Sequence, residues 1–119
     1  MTWTNEESSQ KRTRENAAKR LQELWSMGAI PDLKAVIQKE LNWTPSELSE
    51  VLRVDQRERW QAGYYKLVEE YLTDYPVIAS DSDATIDLIY NEYLLRKRLG
   101  HDLSTKKIIQ RFQALSDIL

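Results

Sequence analysis

The residues with chemistry suited to catalysis are few in this sequence of 119 residues, and they form no recognisable catalytic motif. The single histidine, His101, precedes Asp102, and a His–Asp pair can act as a general base. No serine stands in a motif that marks a nucleophile for that base, and the chain has no cysteine. We therefore predict that His101 is an ordinary turn residue and that the chain has no catalytic, cofactor-binding or metal site.

Clusters of charged residues are better explained by helix structure than by ligand binding. The acidic residues between 74 and 87 lack the spacing of a calcium-binding loop, so we interpret them as favourable charges near helix starts. Basic residues form groups at 11–20, 53–59 and 96–98, but acidic residues are interleaved with them and the net charge is −2. Interleaving weakens the positive potential that nucleic acid requires. We predict ion-paired helix faces, with a DNA-binding regulator as an alternative function.

Tyr64 and Tyr65 are the candidate residues for an interaction surface. They follow Gly63 directly, where a short rigid turn would present two adjacent aromatic rings to a partner. Packing against a neighbouring part of the chain is the more common fate of such rings. Burial is therefore the favoured interpretation, and the contact surface is the alternative.

The composition predicts that long helices position these residues. The sequence has only three glycines and three prolines, the two residue types that most often interrupt helices. Its length fits one domain, and 41% hydrophobic with 30% charged residues is typical of a soluble globular protein. The first ten residues are acidic rather than basic, and no apolar run approaches the ~18 residues of a membrane span. We expect a cytoplasmic protein without a membrane partner.

The three glycines divide the sequence into related units. Gly28, Gly63 and Gly100 are separated by 35 and 37 residues, and with one exception apolar residues stand 8, 9 and 12 positions after each. These three positions share one face of a helix. Trp25 and Trp60 each stand three residues before a glycine. We predict that each glycine ends a helix with a positive φ angle.

The predicted fold is all-α, with about six helices arranged as three helix–glycine–helix units in one compact bundle. A polar extension over 1–15, expected to fray, precedes units at about 16–43, 44–81 and 82–119. The helices are predicted at 5–27, 32–41, 45–62, 66–75, 82–99 and 105–118, with 76–81 as the one sizeable loop. Ile86 and Tyr90 are placed on the buried face of the fifth helix. The predicted core consists of Trp25, Leu52, Trp60, Tyr71, Ile89, Tyr93 and Ile108.

The repeated segments resemble a family of bacterial signalling proteins. The sequence D-L-I-Y-x-E-Y-x-L-R-x-x-x-G is similar to a signature found before the kinase domain of planctomycete-type serine/threonine kinases, and W-x-x-G followed by V/L-E-x-Y-L-x-x-Y/F-P is a second signature of that region. The first signature is matched here by Asp87–Tyr90, Glu92–Arg96 and Gly100. The second is matched by Val54-Asp55, Arg59-Trp60, Gly63, Val68–Leu72 and Tyr75-Pro76, and an opening unit by Trp25, Gly28 and Pro31–Leu33. The likeness extends over about residues 21–119.

This resemblance implies a regulatory or docking segment attached to a signalling output domain. The Gly-rich loop, H-R-D and D-F-G motifs of a kinase are not in the sequence, so we do not expect the chain to transfer phosphate. We expect a non-catalytic protein–protein interaction or regulatory module, N-terminal to a kinase domain that is its partner in cis. A tetratricopeptide-like peptide-binding array is a further alternative, since its period of about 34 residues is close to the glycine spacing.

Overall fold

Six helices form the regular structure of the residues that the computed structural model describes, which are 5–39, 42–101, 106–107, 110–111 and 113, with side chains from residue 16 onward. Within these residues every regular element is helical, which confirms the all-α class. The helices are α1 (Asn5–Ser26), α2 (Leu33–Gln38), α3 (Pro45–Ala62), α4 (Val68–Asp74), α5 (Pro76–Ala79) and α6 (Ser82–Arg98).

The predicted loop at 76–81 is wrong, because it contains the short helix α5. Pro76 is the first residue of α5, a position where the missing N–H of proline has no helical partner to lose. Ile78 anchors this turn and is fully buried. Most of the helix predicted at 105–118 lies outside the described residues, although residues 106–107, 110–111 and 113 within it are helical.

Side-chain caps begin three of the helices. At α3 the Thr44 hydroxyl accepts from the Glu47 N–H at 3.1 Å, and the Glu47 carboxylate accepts from the Thr44 N–H at 3.3 Å. This reciprocal pair satisfies two N–H groups that a helix start leaves without partners. Asp32 caps α2 and Asp81 caps α6 in the simpler way, each through one carboxylate oxygen. The starts predicted at 45 and 82 are therefore confirmed, and α2 begins at Leu33, one residue after its predicted start.

The glycines end the three long helices as predicted. Gly28, Gly63 and Gly100 have φ angles of 87°, 85° and 79°. At the end of α3 the Tyr64 N–H donates to the Arg59 carbonyl at 2.9 Å, and the same bond joins residues 101 and 96 at the end of α6 at 3.0 Å. This hydrogen bond belongs to the motif that closes a helix through a left-handed residue, which glycine adopts without a steric cost.

Helix α3 lies between α1 and α6, and the C-terminal ends of these three helices lie on the same side of the molecule. The Asn91 side chain donates to the Arg53 carbonyl at 3.3 Å, and further along both helices Arg96 lies over the ring of Trp60. These pairings show that α3 and α6 run side by side in the same direction. The last turn of α1 likewise lies beside the last turns of α3, since Trp25 contacts Arg59.

The main core is apolar and is shared by all six helices. Trp25, Leu52, Tyr71 and Ile89 belong to it, as predicted. The buried residues that form this core are Ala17, Leu21, Trp25, Leu33, Val36, Ile37, Leu48, Val51, Leu52, Val68, Tyr71, Leu72, Ile78, Ala84, Leu88 and Ile89. Trp60 is also buried, but it lies outside this cluster.

The predicted burial of α6 is partly wrong. Ile86 and Tyr90 are 50% and 60% exposed, and Tyr93 is only half-buried. The buried residues of α6 instead include Leu88, Glu92 and Leu95, whose spacing places 86 and 90 on the opposite side of the helix. Ile108, the last predicted core residue, is not among the residues that the structure describes.

No helix within the described part of the chain has the length and apolar character required to cross a lipid bilayer.

Replacing Trp60 with alanine should strongly destabilise the fold. The side chain is 2% exposed, and its Nε1 donates to the Lys66 carbonyl at 3.2 Å. Trp60→Ala should therefore lower the free energy of unfolding by about 3–5 kcal/mol, measured by chemical denaturation. Met27→Ala is the control, because Met27 is 77% exposed. A loss well under 1 kcal/mol for Trp60→Ala would show that this ring does not support the fold.

Candidate functional site

Two junctions between neighbouring units are built from the same contact. In each, a tryptophan three residues before the glycine of one unit lies against an arginine four residues before the glycine of the next. The Arg59 guanidinium is 5.3 Å from the Trp25 ring centroid, and that of Arg96 is 5.2 Å from the Trp60 ring centroid. A guanidinium at this distance is attracted by the electron-rich face of the ring. The same cation–π contact therefore joins the first unit to the second and the second to the third.

Each arginine pairs with a buried carboxylate that lies one turn earlier in the same helix. Arg59 Nε lies 2.6 Å from Asp55 Oδ2, and Arg96 Nη1 lies 3.5 Å from Glu92 Oε2. Asp55 and Glu92 each stand eight residues before a glycine, and both are almost completely buried. Residues four apart share one face of a helix, so each pair forms without distorting the backbone.

An aromatic ring directly after the glycine completes each junction. The ring centroids of Tyr64 and Trp25 are 6.5 Å apart, and those of His101 and Trp60 are 5.8 Å apart. We use "unit junction" for this set of four side chains. The first unit junction consists of Trp25, Asp55, Arg59 and Tyr64, and the second consists of Trp60, Glu92, Arg96 and His101.

The Asp55 carboxylate is the centre of the first unit junction. It accepts hydrogen bonds from the Trp25 Nε1 at 3.3 Å, from the Arg59 Nε at 2.6 Å and from the Tyr71 hydroxyl at 2.5 Å. A buried carboxylate is costly unless its oxygens are fully hydrogen-bonded and its charge is paired. Here both conditions are met by donors from α1, α3 and α4, so one charge ties three helices together.

Two tyrosines beside this carboxylate are held in the neutral form. Burial, followed by the negative charge of Asp55, raises the pKa of the Tyr71 hydroxyl far above its ordinary value of about 10. Burial and the neighbouring Asp74 carboxylate raise the pKa of Tyr75 to about 12. The Tyr71 hydroxyl is consequently a hydrogen-bond donor to Asp55 throughout the physiological pH range.

The Glu92 carboxylate occupies the same place in the second unit junction but has different donors. It accepts from the Val68 N–H at 3.0 Å, from Arg96 and from Arg111. Arg111 also pairs with Glu69 on α4 at 2.8 Å. The backbone N–H at the start of α4 therefore takes the place that the Tyr71 hydroxyl has at Asp55. Arg111 joins the last described segment to α4 and α6.

The predicted contact residues lie on the surface of these junctions. Tyr64 and Tyr65 are 52% and 56% exposed, so their burial, the favoured interpretation of the sequence, is only partial. Tyr65 stacks on Trp60 with ring centroids 4.5 Å apart, and its edge meets His101 at 5.7 Å. We use "tyrosine turn" for Tyr64 and Tyr65. One side of each ring packs on a buried tryptophan, and the remaining surface faces solvent.

The other candidate residues have structural contacts. His101 packs on Trp60 and Tyr65, while its proposed partner Asp102 is not among the described residues. Asp81 accepts from the Ala84 N–H at 2.9 Å as a helix cap, and Asp74 pairs with Lys66 at 3.0 Å. Among the described residues no group of three histidines or carboxylates is arranged to hold a metal ion.

Sequence reasoning missed the buried polar residues Asp55, Gln56 and Glu92. Asp55 and Glu92 share a pattern that could have indicated their role. Each stands eight residues before a glycine, and an arginine follows it four residues later. Gln56 had no such signal. Its amide donates to the Leu88 carbonyl at 3.1 Å and accepts from Asn91 at 2.8 Å, which links α3 to α6.

No protein-family model matches this sequence, and comparisons with curated proteins and with solved structures return no significant match.

The raised pKa of the Tyr71 hydroxyl leads us to expect a loss of stability at alkaline pH. Tyr71 stays protonated in the folded chain at pH values where it ionises in the unfolded chain, so its contribution is complete below about pH 10 and decreases above it. Tyr71→Phe should reduce the decrease by about 1.4 kcal/mol per pH unit above pH 10, measured by denaturation over a pH series. Equal slopes for both proteins would contradict the protonated Tyr71–Asp55 pair.

Proposed function

We propose that this chain is a non-catalytic protein–protein interaction or regulatory module of a bacterial signalling protein, positioned N-terminal to a serine/threonine kinase domain. The observation that carries the proposal is the tyrosine turn, which presents two half-exposed aromatic rings on a rigid base. The kinase context is supported by the two sequence signatures that end at Pro76 and Gly100.

The tyrosine turn has the physical properties of a preorganised contact site. Tyrosine is among the residues enriched at the centres of protein interfaces, because it offers a large apolar ring together with a hydroxyl. Tyr65 is held by stacking on Trp60, and the backbone before it is closed by the hydrogen bond from Tyr64 to Arg59. Binding through rings that are already ordered costs less conformational entropy than binding through free side chains.

The charges around the turn favour a protein partner over DNA. Arg59 and Arg96, the arginines nearest the two tryptophans, are paired with the buried carboxylates of Asp55 and Glu92. An arginine whose charge is balanced inside the fold contributes little to the attraction of phosphate groups. A DNA-binding regulator is therefore the weaker alternative.

A peptide-binding helical array is a second candidate, and one observation supports it. The first helices of the three units, α1, α3 and α6, stand in sequence order with α3 in contact with both neighbours. This order is that of a helical repeat array, in which consecutive units stack and present one continuous surface. The two candidates differ in the surface used, because an array binds along its helices and not at a turn.

The test uses the chain as bait in a lysate of the source bacterium. The wild type should capture a kinase or another signalling protein, and Tyr64→Ala combined with Tyr65→Ala should lose at least about nine-tenths of that capture, as expected for a pair of central interface residues. Val77→Ala is the control, because Val77 is exposed on α5 and does not belong to the tyrosine turn. Circular dichroism checks that the double variant remains folded.

Three outcomes would contradict the proposal. The first is phosphoryl transfer from ATP by the purified chain. The second is tight, salt-sensitive DNA binding without any protein partner. The third is capture that the tyrosine substitutions leave unchanged, which would favour the helical array or another surface.

A further inference from the structure

The face of α6 opposite its buried residues carries a stripe of apolar side chains between two charged ones. Asp83, Ile86, Tyr90, Leu94 and Lys97 are spaced by three or four residues, so they follow one line along the helix. We use "α6 stripe" for these five residues. Ile86 and Tyr90 are 50% and 60% exposed, Leu94 is half-buried, and the two charged ends are exposed.

The charges alone do not indicate a partner. A helix favours an acidic residue in its first turn and a basic residue in its last turn, and Asp83 and Lys97 occupy those turns of α6. The helix dipole does not account for the apolar residues between them. Ile86 and Tyr90 lie opposite the buried face of α6, which includes Leu88. Apolar residues flanked by charged ones are typical of a helix surface that packs on another helix.

We propose that the α6 stripe pairs with the α6 stripe of a second copy of this chain, with the two helices antiparallel. In this arrangement Tyr90 lies on the two-fold axis against Tyr90 of the partner subunit. Ile86 then lies against the partner's Leu94, and Asp83 against the partner's Lys97. All three pairs fit one register, because each pair is centred on position 90.

The order of the charges along α6 favours a second copy of this chain as the partner, in the antiparallel orientation. Asp83 and Lys97 lie about 21 Å apart along the helix, on opposite sides of the apolar pair. An antiparallel copy places opposite charges together at both ends, whereas a parallel copy places like charges together. Self-complementarity of this kind is the property of a two-fold symmetric interface. The inference is independent of the proposed function, because it uses the α6 stripe and not the tyrosine turn.

The resulting dimer should be weak. A single pair of 17-residue helices buries less surface than a stable interface requires, so we expect a dissociation constant on the order of 10–500 μM. Sedimentation equilibrium of the chain between about 10 μM and 1 mM, the range that brackets this constant, should show a mass that rises from monomer towards dimer. Tyr90→Asp should remain monomeric throughout, and Met27→Asp is the control because Met27 is 77% exposed outside the stripe.

A charge-reversal pair identifies the partner as a second copy in the antiparallel register. Asp83→Lys makes both ends of the stripe positive, and Lys97→Asp makes both ends negative. Each variant alone should dimerise at least about tenfold more weakly than the wild type, and an equimolar mixture should recover dimers, since opposite charges then meet at both ends. Circular dichroism establishes that each variant is folded.

Either of two results would overturn this proposal. A wild-type chain that remains monomeric up to about 1 mM would show that the stripe does not pair with a second copy in the expected range. A dimer that survives Tyr90→Asp, or a mixture of the charge variants that stays monomeric, would show that the copies do not meet through α6 in this register.

Discussion

The buried Asp55 carboxylate is the interaction on which the arrangement of the units depends. Its three donors come from α1, α3 and α4, and each donor has a further role. Arg59 lies over the ring of Trp25, which in turn packs against Tyr64. Without the carboxylate, the arginine would have no reason to point into the junction, and the tryptophan N–H and tyrosine hydroxyl would be buried without a partner. One buried charge therefore determines both the packing of the first two units and the placement of the exposed tyrosine.

The same junction occurs twice among the three units, and the first and third units depart from its pattern at particular positions. The first unit has Arg20 eight positions before its glycine, where the next units have Asp55 and Glu92. The third unit has Lys97 in the position of the two junction tryptophans, and Lys97 is exposed. Lys97 is also the basic end of the α6 stripe.

Much of the fold follows from local signals in the sequence. The Thr44 capping box and Gly63 act within one or two helical turns, so their effect can be inferred without the tertiary structure. The burial of α6 could not be inferred in that way. Apolar residues, among them Ile86 and Leu88, occur on all sides of this helix, so their pattern alone does not show which face packs against the core. Asp55 was missed for a related reason, because acidic residues are rarely buried and only the positions of its three donors show that this one is.

The free energy of unfolding of the Asp55→Asn variant tests the role of this carboxylate most directly. The substitution keeps the size of the side chain but removes the charge that balances Arg59, which is itself mostly buried. If Asp55 holds the first unit junction together, chemical denaturation should show a loss of about 3–5 kcal/mol, the usual cost of breaking a buried ion pair. Glu50→Gln, an exposed change on the same helix, should alter stability by less than about 0.5 kcal/mol. A loss below about 1 kcal/mol for Asp55→Asn would contradict the central place of this charge in the fold.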